Sequence, residues 1–113
     1  MSTQTKISMA LSELAEGKMQ MCTAGGREIV VCRSKEGIFA LDNICTHAYA
    51  RLNEGRLRGT RLICPLHGAA FDIRDGRALG APASRPLAIH RVTVIDDRID
   101  ISVAPQAPPP ISL

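Results

Sequence analysis

A chain of 113 residues, 45% apolar and 22% charged, has the size and composition of one globular domain. That excludes a largely disordered chain, and no apolar run approaches the roughly 20 residues that cross a bilayer. A net charge of +3 and an aromatic content of 3% argue against a nucleic-acid binder and a stacking platform for single strands. Residues 1–7 read as a loose end or as a first strand beginning near Lys6. The apolar stretch at 7–11 is broken by Ser8 and too short for the core of a signal peptide, so the expected location is the cytoplasm with no membrane contact. Residues 11–14 predict a short turn of helix ended by Gly17. Alternation over 18–23 predicts a half-buried strand. Gly25 and Gly26 mark a turn, the apolar EIVVCR at 28–33 a second strand, and Lys35 to Gly37 another turn before a strand at 38–41. The first half therefore reads as a meander of short antiparallel strands.

Residues 42–85 are richer in glycine and proline. Short strands are predicted at 60–63 and 71–73, the latter closed by Asp75 and Gly76; the rest is loop. A loop-rich stretch inside a small domain commonly carries function. Alternation returns at 87–95 and 99–103, two strands joined around Asp96 and Asp97. The end of the chain holds four prolines in its last ten residues, which predicts an extended or disordered tail.

Four cysteines and three histidines are present. The pattern Cys45-Thr-His47, sixteen residues, then Cys64-Pro-Leu-His67 places one thiol and one imidazole on each of two short loops. Pro65 stiffens the second loop, and Gly68 lets backbone approach behind it. Three readings compete: buried thiols with unrelated surface histidines, a Cys2His2 zinc site, and a Rieske [2Fe–2S] centre with two thiolates on one iron and two imidazoles on the other. Mirrored Cys/His pairs are improbable by chance. Structural zinc sites usually pair like with like on each knuckle, whereas one of each kind per loop suits a cluster lying between two loops.

The motif CTH, x16, CPLHGAAFD resembles the Rieske family. The resemblance extends to IFALDNICTH at 38–47, to the connector at 52–59, and to the return segment at 71–87. It covers residues 18–103 and lies nearest the ferredoxins of bacterial multicomponent aromatic-ring-hydroxylating dioxygenases of the naphthalene and biphenyl type. It implies an all-β Rieske ISP-type fold of small antiparallel sheets. One domain would span 1–104, with a loop-rich cluster-binding subdomain at 43–84 and a proline-rich tail at 105–113. It implies one [2Fe–2S] cluster, with Cys45 and Cys64 on the inner iron and His47 and His67 on the outer one. The implied role is one-electron carriage from an NAD(P)H-dependent flavoprotein ferredoxin reductase to a terminal oxygenase component, with no catalytic residues and no substrate pocket. The alternatives are a Rieske-like small subunit of an assimilatory nitrite reductase and a zinc-stapled interaction module.

Departures from the respiratory branch of the family are informative. Ala50 and Leu66 stand where that branch has an extra disulfide-bonded pair of cysteines. Ala69 and Phe71 stand where it has hydroxyl donors to the cluster. Fewer donors imply a potential near the low end of the roughly −150 to +300 mV Rieske range. Tyr49 replaces a small residue, over the cluster or toward a partner. Asn53 replaces serine, with little consequence expected. Cys22 and Cys32 lie on adjacent predicted strands and read as buried hydrophobes in preference to a redox pair; His90 reads as structural. Seven arginines (51, 56, 58, 61, 74, 77 and 85) oppose three acids within 45–90, net +4, while the rest of the chain is net −1. That collar is either a solvated surface or a dock for acidic partners.

Overall fold

The computed structural model describes residues 5–46, 50–66, 68–80 and 85–103. The Gly25–Gly26 pair takes positive φ at both positions (58° and 79°), the conformation a two-residue hairpin turn of matching twist requires. It joins β2 (Met19–Ala24) to β3 (Arg27–Ser34), and β4 (Gly37–Asp42) returns along the other edge of β3. The central β3 explains its own apolar run. Ile29 and Val31 point into one core and Val30 and Cys32 into another, so four consecutive residues are buried on both faces.

This meander is not the whole sheet. β1 (Thr5–Ala10) pairs with β9 (Arg98–Val103), which pairs with β8 (Ile89–Ile95), which meets β4. The antiparallel order is β1-β9-β8-β4-β3-β2, so the first strand lies at the far edge from the second. Between them the chain makes a single 3-10 turn at Leu11–Glu13. One core, with Ile29, Val31, Ala40, Ile99 and Ile101, fills the side shared by the two halves of this sheet.

Between β4 and β8 the chain leaves the large sheet and builds a second, three-stranded one: β5 (Arg56–Arg58), β6 (Arg61–Ile63) and β7 (Ala70–Asp72). β5 falls within 52–59, the segment that reads in sequence as a connector. Its partner β6 supplies the reason it forms: Leu57 sits opposite Leu62, and both face inward. The second core joins this sheet to the first, with Leu52, Leu62, Phe71 and Ile73 packed against Val30, Cys32 and Leu41. Cys45, Cys64, Ala50 and Ala69 belong to it too. Among the described residues no helix is long and apolar enough to cross a membrane. The proline-rich tail lies outside the described residues.

Candidate metal centre

Two loops share one construction. The Cys45 N–H donates to the Ala50 carbonyl at 2.9 Å, and the Cys64 N–H donates to the Ala69 carbonyl at 2.7 Å. Each cysteine thus opens a loop closed by the carbonyl of the fifth residue on. The first loop leaves β4 after an Ile44–Arg51 bridge; the second runs from β6 to β7. Their cysteines are both buried, 4% and 3% exposed, in the same core. The two side chains are neighbours in that core. Burial pushes the Cys64 thiol up; the Leu66 N–H works against that, and the adjacent Cys45 adds to it.

Two thiols that meet in a core are poor company as thiolates unless a cation sits between them, and a coordinated thiol gives up its proton. The donor set therefore fits a thiophilic metal group. His47 and His67, the other two predicted ligands, and Tyr49 lie outside the described residues. Among the described residues no group of three or more His, Cys, Asp or Glu side chains gathers to hold a metal.

The base of the first loop is held by Asn43, Asn53 and Glu28. Asn43 is fully buried. Its Nδ2 donates to Glu28 Oε1 at 3.2 Å and to Asn53 Oδ1 at 2.8 Å, and its Oδ1 accepts the Asn53 N–H at 2.8 Å. Asn53 is therefore not of little consequence. A serine there would be too short to reach back in the same way. Glu28 also accepts from Arg51 at 3.0 Å. That pairing holds the Glu28 carboxyl below its ordinary range, Arg51 being the first cause and Asn43 the second. Beside it Asp42 accepts from Arg27 at 2.8 and 2.9 Å and from His90 Nε2 at 2.9 Å. Burial pushes the Asp42 carboxyl up, but the His90 and Arg27 bonds outweigh it and hold it below the usual range. His90 is structural, as expected: it ties β8 to the end of β4. Nothing in the sequence singles out Asn43 or Asp42, since a buried amide is recognisable only by what surrounds it.

The second loop is approached closely from behind. A side chain on Gly55 would place its Cβ 1.9 Å from the Ile63 carbonyl oxygen, so only glycine fits where the connector crosses β6. At the end of β7, Asp72 is 4% exposed on its side chain and accepts from Arg74 N, Nε and Nη2 at 2.8 to 2.9 Å. Those bonds hold its carboxyl at about 2 despite burial. Thr46 Oγ1 donates to the Arg85 carbonyl at 2.7 Å and ties the first loop to the return segment.

Cys22 and Cys32 are free thiols on adjacent strands but not opposite each other. Cys22 faces Ile29 and Cys32 faces Met19, so they project from opposite sides of the sheet into different cores. Burial raises both, Cys32 to about 12. Cys32 is a buried core residue, and Cys22 packs half-buried against the other core. The arginine collar is likewise only partly available: Arg51 is taken by Glu28, and Arg74 by Asp72 and Glu36.

Residues 4–94 match the Rieske [2Fe-2S] domain. The chain is 36% identical over 96 residues to the naphthalene 1,2-dioxygenase system ferredoxin component of Pseudomonas aeruginosa, covering 85% of this chain and 92% of that one. It is 32% identical over 94 residues to the anthranilate 1,2-dioxygenase ferredoxin subunit of Burkholderia cepacia, covering 83% and 87%. Among solved structures, the ferredoxin of carbazole 1,9a-dioxygenase from Nocardioides aromaticivorans IC177 superposes with a TM-score of 0.82 at 30% identity, covering 93% of this chain and all of that one. A ferredoxin seen in complex with the oxygenase of carbazole 1,9a-dioxygenase superposes at 0.78, also 30% identical, covering 86% and 99%. A nitrite reductase small subunit from Mycobacterium tuberculosis reaches 0.78 at 19% identity, which speaks to fold alone. The chain belongs to the Rieske [2Fe–2S] family. Within it the chain is of the ferredoxin type, an electron carrier rather than an enzyme, with one Rieske-type cluster as its cofactor.

Proposed function

We propose that this protein carries single electrons from an NAD(P)H-dependent flavoprotein reductase to the terminal oxygenase of an aromatic-ring dioxygenase system. The ligands in this reading are Cys45, His47, Cys64 and His67, within one domain whose cluster-binding part spans 43–84. The observation that carries it is the twin loop closure that buries Cys45 and Cys64 side by side. The cluster, when bound, supplies a centre that accepts and releases one electron.

The chain's own residues set the conditions. Ala69 and Phe71 are fully buried in the core that holds both cysteines, and neither offers a hydroxyl to it. The potential should accordingly lie low in the Rieske range, which suits a carrier between flavin and oxygenase. Pro65 and Leu66 are exposed on the second loop, Leu66 at 48%, and give a small apolar contact to a partner. Small contact areas suit partners that must separate after each electron. Likeness to ferredoxin components over most of the chain favours this role over a nitrite reductase subunit and over a zinc module. The cytoplasm is the setting in which NAD(P)H is at hand. The aromatic substrate is selected by the oxygenase.

The test is NADH-driven reduction by a dioxygenase-system reductase, read as bleaching of the visible spectrum, then re-oxidation by the oxygenase with substrate and oxygen. Product formation that requires this chain supports the role. Reduction by the reductase with no onward transfer to any such oxygenase contradicts it.

A further inference from the structure

The three-stranded sheet has one face in the core and one toward solvent. Leu57 and Leu62 fill the inner face, so Arg56 and Arg58 on β5 point outward, and Arg61 on β6 stands directly opposite Arg58. Cross-strand neighbours of this kind have Cβ atoms about 5 Å apart, and like charges so placed destabilise a sheet. All three arginines are exposed. Among the described residues no carboxylate bonds any of them. The nearest acid by register, Asp72 opposite Arg61, is already engaged by Arg74 and Arg77.

The opposite flank differs. Arg51, at the end of the first loop, is neutralised by Glu28, and Arg27 by Asp42. Among the described residues, three arginines without a carboxylate partner are thus gathered on the β5–β6 hairpin, on the second-loop side. A groove of about 440 Å³ there is lined by Arg56 and Arg58 and by Cys64, Pro65 and Gly68, and Glu54 lines it too. A cost in sheet stability with no internal compensation, placed beside the buried thiols, calls for an external partner of the opposite sign.

We propose that Arg56, Arg58 and Arg61 form a one-sided docking strip for a carboxylate-rich face of the redox partner protein, seating it against the second loop. This deepens the electron-carrier reading and rests on it. Nucleic acid fits less well: three cations on one hairpin make a small footprint, and Phe71 is buried while Phe39 is packed against the core, so neither offers a stacking face. Clustered charge steers encounter and raises association rates by about 10 to 1,000-fold at low salt.

The experiment is stopped-flow reduction of the cluster-loaded chain by a flavoprotein reductase, from low to high salt. Arg58→Glu and the triple Arg56→Glu/Arg58→Glu/Arg61→Glu are compared with Arg91→Glu, an exposed arginine of the large sheet. Arg58→Glu and Arg91→Glu change net charge equally. The strip variants should be about tenfold slower or more at low salt and converge on wild type at high salt. Arg91→Glu should stay within about twofold throughout. Equal slowing in Arg58→Glu and Arg91→Glu would show a net-charge effect and overturn the strip. Wild-type rates in the triple variant, with an unchanged visible spectrum, would overturn it too. Loss of single-stranded DNA binding in that variant beside an unchanged rate would reassign the strip to nucleic acid. A wild-type chain that holds its cluster but takes no electron from the reductase would instead overturn the carrier role itself.

Discussion

Replacing Asn43 with alanine removes three hydrogen bonds from a fully buried position. Each ordinary bond contributes about 1 kcal/mol net, and one to a carboxylate somewhat more, so the loss should be about 3 kcal/mol. The Asn53 amide would also be left without its partner at the base of the first loop. Asn53→Ala should cost only about 1 kcal/mol, because its backbone N–H still reaches Asn43 Oδ1. One bond, Asn43 Nδ2 to Asn53 Oδ1, is lost in either single variant. The double variant should therefore fall short of the sum by about 1 kcal/mol. Urea unfolding by circular dichroism measures all three, with cluster absorbance followed in parallel. The first loop should loosen before the sheet does, so Asn43→Ala should bleach at a lower urea concentration than its circular dichroism midpoint. An Asn43→Ala stability within about 0.5 kcal/mol of wild type would refute the assignment of this residue as the anchor of the loop.

Asp72 gives a pH-dependent case: its folded pKa, about 2, lies below the ordinary 3.8, so the stabilisation it brings is present above pH 3.8 and lost as pH falls through about 2. Asp72→Asn should be less stable than wild type at neutral pH, with the gap closing between about pH 4 and pH 2; urea midpoints that stay a constant distance apart would contradict this. Ala69→Ser and Phe71→Tyr should each raise the reduction potential by up to roughly 60 to 130 mV in voltammetry. A donor bond to a charged group is worth about 1.5–3 kcal/mol, and about 59 mV corresponds to tenfold for one electron. Leu66→Glu, on an exposed loop position, should slow electron transfer at every salt concentration while leaving the absorption spectrum unchanged.

Strand existence was legible wherever alternation ran six residues or more, as in β8 and β9, and in the apolar run that became β3. The Gly25–Gly26 turn was legible because two adjacent positive φ angles are a backbone demand that few residues meet. Strand order was not. That β1 would pair with β9 depends on contacts more than ninety residues apart, such as Ser8 to Asp100, which no local pattern encodes. β5 was missed because its partner strand, not its sequence, makes it a strand. Chemistry and spacing single out Cys45 and Cys64 as candidate ligands, and the structure buries both in one core. The supports were not legible. Asn43, Asn53 and Asp42 are ordinary polar residues until burial leaves them only each other to bond. The collar of arginines was legible as composition, but which of them are spent on internal carboxylates depended on register and reach.

In the proposed function Cys45 and Cys64 hold a Rieske cluster between the two loops. Iron, zinc and acid-labile sulfide analysis of the purified chain, with its visible spectrum, tests it most directly when wild type and Cys45→Ser are compared. A red-brown wild-type protein with about two iron and two sulfide per chain and little zinc is expected, with loss of most colour and iron in Cys45→Ser. A colourless wild type containing zinc, or a Cys45→Ser variant that keeps its full cluster, would contradict it.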